Sequence, residues 1–195
     1  MVWSVHLDSE AAAAVLAGSR HTDRDLADFA AAPDAGNRLL RRRLTRALLG
    51  HLTGVAPVDI LFGRTTEGAV SVLSPKGWYL SVAGRAPLCL IGISPAPIGV
   101  DVEPSDDSPP LWDMLTEAEG VEIERLPAQE RPHEWLRRWA AKEAHAKRLG
   151  FARRADPALI ETQPVGADRL KVGSEEGVSD CRLRSVGGRI EAVAL

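Results

Sequence analysis

Ile98-Gly99-Val100-Asp101-Val102-Glu103 lies near the midpoint of the 195-residue chain. Val100 and Val102 are β-branched and alternate with two carboxylates. That is the period of a strand, so Asp101 and Glu103 leave the backbone on one face and the valines on the other. Two acids about 7 Å apart along one strand repel each other unless something positive sits between them, the setting a hard divalent cation needs. Taken alone, the hexapeptide reads more readily as an edge strand with its polar face in water. The rest of the chain has to decide.

A chain of this length makes one domain or two small ones and buries a substantial core. Its hydrophobic fraction of 45% and charged fraction of 26% are those of an ordinary water-soluble globular protein. No long uncharged apolar run marks a membrane span. Residues 1–18 carry Asp8 and Glu10 and no basic n-region, so they do not read as a signal peptide. Cys89 and Cys181 stand outside any CxxC or Cys/His spacing, which argues against structural zinc and for reduced thiols in a cytoplasm. Residues 1–100 hold 10 Lys+Arg against 8 Asp+Glu, and residues 101–195 hold 14 against 19. Neither half has the basic excess of a duplex-binding domain, so nucleic acid is a poor first guess.

Upstream of the central strand, residues 1–8 alternate as a first strand, and residues 11–17 read as a short helix closed by Gly18. Residues 21–35 read as helix plus turn. A longer helix follows, capped by Asn37, with Leu39, Leu40, Leu44, Leu48 and Leu49 at helical spacing as far as Gly50. Its other face carries Arg38, Arg41, Arg42, Arg43 and Arg46, which alone read as a solvated surface. Residues 69–73 and 78–82, around Ser74-Pro75-Lys76-Gly77, predict a hairpin. Gly84 to Pro87 reads as a loop and residues 88–93 as a buried strand.

Downstream, residues 104–110 form a breaker-rich linker. Thr116-Glu117-Ala118-Glu119 fits a capping box. The strongest helical pattern of the chain covers residues 134–149, stopped by Gly150. Residues 169–172, 180–186 and 189–195 predict a strand trio with Gly187-Gly188 as a tight turn. Each half therefore has a long helix followed by short strands.

On the second long helix Trp139, Glu143 and Lys147 are spaced i, i+4, i+8 and form one slowly drifting stripe. Without the rest of the chain, this is a Trp at a core edge and a surface Glu–Lys pair. With Asp101 and Glu103 upstream and a Pro-rich linker able to fold the helix back, that surface reading fits less well.

Gly99-Val100-Asp101-Val102-Glu103 with Trp139-Ala140-Ala141-Lys142-Glu143-Ala144-His145-Ala146-Lys147 resembles the paired signature of the 4′-phosphopantetheinyl transferases, G-(I/V)-D-(I/V)-E and W-x-x-K-E-(A/S)-x-x-K. Either motif alone is weak; both in this order and at this separation are specific. The chain looks like the single-chain, pseudo-dimeric type that activates surfactin synthetase, rather than the small trimeric holo-synthases. The resemblance implies an α+β fold of two similar halves related by pseudo-two-fold symmetry, residues 1–98 and 99–195, with the active site in the cleft between them. It also implies holo-acyl-carrier-protein synthase activity in a monomer. The serine of an apo acyl or peptidyl carrier protein attacks the β-phosphate of coenzyme A, and 3′,5′-ADP leaves.

The resemblance places Mg²⁺ on Asp101, Glu103 and Glu143. It makes Glu143 the acceptor of the serine proton and Lys147 the cation at the departing phosphate. Lys142 would contact the diphosphate or the 3′-phosphate, and Arg38 is the nearest match, one position out of register, to a helical phosphate-binding arginine. Two positions depart from the family pattern. The usual Ser-His-(Ser/Thr) is Ser81-Val82-Ala83 here, with Arg85 as a candidate replacement for the missing charge. The usual Gly-(Lys/Arg)-Pro is Gly68-Ala69-Val70. Both losses fall on the nucleotide side and predict altered coenzyme A recognition. They also leave room for a degenerate, non-catalytic binder of coenzyme A or carrier protein. A generic Mg²⁺-dependent phosphohydrolase using the same three acids is the other alternative, and it explains the Trp139–Lys147 stripe less well.

Overall fold

The computed structural model describes all 195 residues. Two antiparallel sheets, each with a 19-residue helix, form its frame. Strands β1 (Val2–His6), β4 (Tyr79–Arg85) and β5 (Leu88–Ser94) make the first sheet in the order β1-β5-β4. The apolar run of β5 is buried along almost its whole length, as expected of a strand with neighbours on both sides. Strands β6 (Gly99–Pro104), β7 (Glu161–Gly166), β8 (Arg169–Ser174), β9 (Gly177–Val186) and β10 (Arg189–Ala194) make the second sheet in the order β6-β10-β9-β8-β7. Gly187 and Gly188 close the β9–β10 hairpin with φ of 55° and 70°, the left-handed pair a two-residue turn requires. No helix is long and apolar enough to cross a membrane.

The predicted 69–73/78–82 hairpin is not formed. Strand β3 (Val70–Ser74) pairs instead with β2 (Leu61–Arg64) in a separate two-stranded sheet, while β4 pairs with β5 through Gly84-Arg85-Ala86-Pro87. The turn at 74–77 thus connects two sheets, and the supposed loop at 84–87 is the true hairpin turn. Strands β2 and β7 are absent from the sequence-level assignment: the first is four residues with an internal glycine, the second contains Pro164.

Of the helices, α1 (Glu10–Ala17) and α2 (Asp23–Phe29) pack on α3 (Ala35–Thr53), and α4 (Glu117–Glu124) packs on α5 (Arg131–Leu149). Asp34, not Asn37, occupies the N-cap of α3; Asn37 lies in the first turn and donates to the Asp34 carboxylate at 2.8 Å. The helix runs through Gly50 to a left-handed cap at Gly54, because Gly50 is needed for close approach: a Cβ there would stand 2.9 Å from the Val55 carbonyl oxygen. The predicted capping box of α4 is present at Thr116 and Glu119.

The arginine face of α3 is not uniformly solvated. Arg42 and Arg46 turn inward against α2, where Arg46 grips both oxygens of buried Asp25 at 2.8 and 2.6 Å and Arg42 lies 3.5 Å from it. Both guanidinium groups sit 5.0 Å from the centre of the Phe62 ring. Burial alone would raise the Asp25 carboxyl, but the Thr22 amide and Arg46 hold it below the usual carboxylate range. An arginine row written as one surface is therefore divided between core support and solvent.

Each long helix covers its own sheet. Trp135, Ala140, Ala141 and Ala144 of α5 pack on Leu170, Cys181, Ile190 and Ala192, and Leu44 and Leu49 of α3 pack with Cys89, Ile91 and Ile93. A smaller cluster joins the two sheets, made of Ala83, Leu88 and Leu90 against Ile98, Val100 and Val102. Across the same seam, Ser4 donates to buried Glu191 at 2.6 Å. Both cysteines are buried, which pushes their thiols up to about 12.

Strand β6 is the hydrogen-bonded edge of its sheet, yet every residue from Gly99 to Glu103 is buried. Its valines face the joining cluster and its acids face α5. Contact with α5 is closest at Gly99: a Cβ there would collide with the Ala144 carbonyl oxygen and stand 2.6 Å from the Arg148 amide nitrogen. Both are backbone atoms of a helix and cannot rotate away. Gly99→Ala is therefore expected to lower unfolding stability by at least about 3 kcal/mol, at the upper end of overpacking costs, measured by urea titration followed by tryptophan fluorescence. A loss below about 1 kcal/mol would mean that the strand–helix contact is looser than described.

Candidate active site

Six of the side chains singled out in the sequence converge where α5 crosses β6: Asp101, Glu103, Glu143, Lys147, Trp139 and Arg85. Asp101 is 4% exposed, and its Oδ1 receives the Lys147 ammonium at 2.5 Å. The same ammonium lies 3.7 Å from the Glu143 carboxylate. Glu103 accepts from Trp139 Nε1 at 3.1 Å and from Arg85 Nη2 at 2.8 and 3.2 Å. The period of two on β6 puts both acids on one face, and the period of 3.6 on α5 puts Trp139, Glu143 and Lys147 opposite them. Trp139 was legible as a core-edge residue; its role as a donor to Glu103 was not.

The electrostatics of Asp101 are unusual. Its Oδ2 is buried and has no hydrogen-bond partner, an arrangement that leaves a desolvation cost uncompensated. Burial pushes the carboxyl up to about 6, against the pull of Lys147. An ionised oxygen with no donor beside two further acids is the donor set that suits a hard cation with oxygen ligands. The three carboxylates do not form a cluster arranged around a common point, because Arg85 and Lys147 draw Glu103 and Asp101 to themselves. The chemistry of the set fits a divalent cation, with Asp101 Oδ2 as the atom that lacks a partner.

Beside these acids lies a cavity of about 170 Å³, lined by Lys147, Ser81, Val82, Ala69, Gly68 and Arg153 among others. Ser81, on β4, is buried and its Oγ accepts the Val100 amide at 3.0 Å, so it fastens the first sheet to β6 at the wall of the cavity. A second cavity, of about 210 Å³, shares Val70, Leu80 and Val82 with the first. Its far side carries Arg38, Arg41, Arg42 and Arg64. Exposed Arg38 is thus in the arginine-lined cavity, and Arg85 is at the carboxylates, not among the residues lining either cavity.

Lys142 stands apart. It is 1% exposed, and its ammonium is held by Glu119 at 2.6 Å and by the carbonyl oxygens of Pro157 at 2.8 Å and Met114 at 3.0 Å. Burial pulls it below the usual lysine range while Glu119 opposes that shift. Expected at a phosphate, it instead ties α5 to α4 and to the segment before β7. Glu119 also accepts from the Thr162 amide at 2.9 Å, in addition to its capping-box bond to Thr116. The capping box made Glu119 legible as a helix start; nothing local in the sequence announced its second duty. His145 is fully buried between Ser179 and Ser174, and burial lowers it to about 4.

Residues 97–193 match the family model of the 4′-phosphopantetheinyl transferase superfamily. The matched segment contains β6, α5 and all of the second sheet but its last residue, Ala194, and with them Asp101, Glu103, Glu143 and Lys147. Transfer of phosphopantetheine is the general activity that match suggests. No curated protein matches the chain.

The Lys142 contacts have a measurable consequence. Lys142→Ala leaves the Glu119 charge buried without its partner, so it is expected to cost about 3–5 kcal/mol of unfolding stability. Chemical denaturation measures this directly. Stability equal to that of the unaltered protein would show that the pair is not held in the interior.

Proposed function

We propose that this protein transfers the 4′-phosphopantetheine group of coenzyme A to the serine of an apo acyl or peptidyl carrier protein, with Mg²⁺ as cofactor. The observation that carries the reading is the meeting of Asp101, Glu103, Glu143 and Lys147, from β6 and α5, beside a cavity that Lys147 and Arg153 line. The two sheets and their long helices are read as similar halves, residues 1–98 and 99–195, with the cleft at their junction.

In the reaction the serine oxygen forms a bond to the β-phosphorus of coenzyme A. The bond from that phosphorus to the bridging oxygen breaks, and 3′,5′-ADP departs. Glu143, 26% exposed on its side chain, is accessible to take the serine proton. Lys147 reaches from the acids to the cavity, so it is placed to neutralise charge on the departing phosphate. Mg²⁺ held by Asp101, Glu103 and Glu143 would neutralise the diphosphate. The apolar strip Val70-Leu80-Val82, shared by both cavities, gives the nucleotide a surface to lie on. Of the arginines of the second cavity, exposed Arg38 suits its phosphates or an acidic carrier protein.

One observation favours a second reading, a binder without catalysis: Arg85 and Lys147 already occupy Glu103 and Asp101. Intact-mass measurement on several apo carrier proteins, with coenzyme A and Mg²⁺, separates the two. Transfer predicts a mass gain of one phosphopantetheine on the carrier serine, lowered on the order of 100-fold by Asp101→Ala. Coenzyme A binding with no mass gain on any carrier would establish the second reading, and full activity of Asp101→Ala would remove Asp101 from the site.

A further inference from the structure

The cavity wall supplied by β3 and β4 is poor in the groups a phosphate needs. Ala69 and Val82 both line it, and neither carries a charge or a side-chain donor. Arg85, the replacement nearest in sequence, is committed to Glu103. A cation from the other side of the cleft fills the gap. Arg153 follows α5, inside the tight turn that the Arg154 amide closes on the Phe151 carbonyl, and its guanidinium lies across Gly68. A Cβ on Gly68 would stand 2.5 Å from Cζ and Nη1 of Arg153 and 2.9 Å from Nε, and Gly68 has φ +77°. The left-handed backbone favours glycine at this position, and the absent side chain leaves the space in which the guanidinium lies.

Arg153 makes no hydrogen bond or ion pair within the protein. Of the acids of this corner, Glu176 accepts from Arg154 at 2.7 Å, while Glu67, which lines the cavity beside Gly68, lies 4.0 Å from Arg154 and makes no ion pair with Arg153. Lys147, the other cation of the cavity, is held by Asp101. A guanidinium with no bonded partner, packed over Gly68, therefore shares one cavity with Lys147, with Glu67 and with Ser81 of its wall. Its planar fork matches a phosphate in a bidentate way, which a lysine or histidine at the lost positions would not reproduce.

We infer that Arg153 binds a phosphate of the nucleotide end of the donor, replacing from the second half of the chain the cation absent at Ala69 and Val82. The inference rests on reading the cleft as the coenzyme A site. It makes donor recognition depend on contact between residues 65–68 and residues 151–154, so the two halves must be docked for the donor to bind tightly.

Isothermal titration of the full chain with coenzyme A and with 3′-dephospho-coenzyme A tests it. Arg153→Ala and Arg153→Gln are each expected to weaken coenzyme A binding about tenfold, with unchanged thermal unfolding because the side chain is exposed and unbonded. Arg153→Lys is expected to recover part of the loss. An equal loss towards both ligands assigns the contact to the diphosphate, and a loss confined to coenzyme A assigns it to the 3′-phosphate. Unaltered affinity in Arg153→Ala overturns the inference, as does full affinity in Arg153→Gln, which would reduce the role to packing on Gly68. Absence of coenzyme A binding by the unaltered protein overturns the reading of the cleft itself.

Discussion

The close contact of β6 with α5 at Gly99 sets the rest of the molecule. A strand and a helix ordinarily keep a layer of side chains between them. Here the missing Cβ of Gly99 and the small Ala140, Ala141 and Ala144 bring the two backbones together. That approach lets Lys147 reach Asp101 and Trp139 reach Glu103. On the opposite face of β6, Val100 and Val102 complete the cluster that joins the two sheets, and Ser81 fastens the Val100 amide. One strand thus supplies the acids and the seam, and its Val100 amide anchors the serine that lines the cavity. It can do so only because it is buried on both faces while remaining the edge of its own sheet.

Burial of Asp101 carries a free-energy cost that the protein interior does not fully offset. Lys147 satisfies one oxygen, and the other has no donor. Between 3.8 and about 6 the folded protein keeps a proton that the unfolded chain has released. The sign follows: Asp101 adds stability that is fully present below 3.8 and lost as pH rises through about 6. Buried Glu191 runs the other way. Burial raises it, but Ser4, Arg184 and Arg189 hold it below the usual range, so its contribution is lost on acidification. A carboxylate that serves the fold has its partners already; Asp101 does not.

Residues close in sequence and periodic were legible. The alternation at 98–103 and the four-residue spacing of Trp139, Glu143 and Lys147 each fix a face without any knowledge of the fold, and those faces do meet. Lys142 shows what such reading also contains but is easily overlooked. It lies five residues before Lys147, about 140° around the helix, so both ammonium groups cannot face one cleft. Glu119 then takes the one that points away. The false hairpin at 69–82 has a different cause: Ser74-Pro75-Lys76-Gly77 is good turn chemistry, and turn chemistry does not reveal which strands pair across it. Arg153 on Gly68 and Glu191 under Ser4 are contacts between distant parts of the chain, and no local pattern encodes them.

Asp101 is a buried carboxylate with one oxygen unpartnered, and the proposed function gives it a cation to bind. Carbon-13 NMR titration of the Asp101 side-chain carboxyl, assigned by comparison with Asp101→Asn, measures this directly. In the metal-free protein the account predicts a titration near 6, and added Mg²⁺ should move it downward because a cation favours the charged form. A titration near the ordinary aspartate value of 3.8 that does not respond to Mg²⁺ would contradict it.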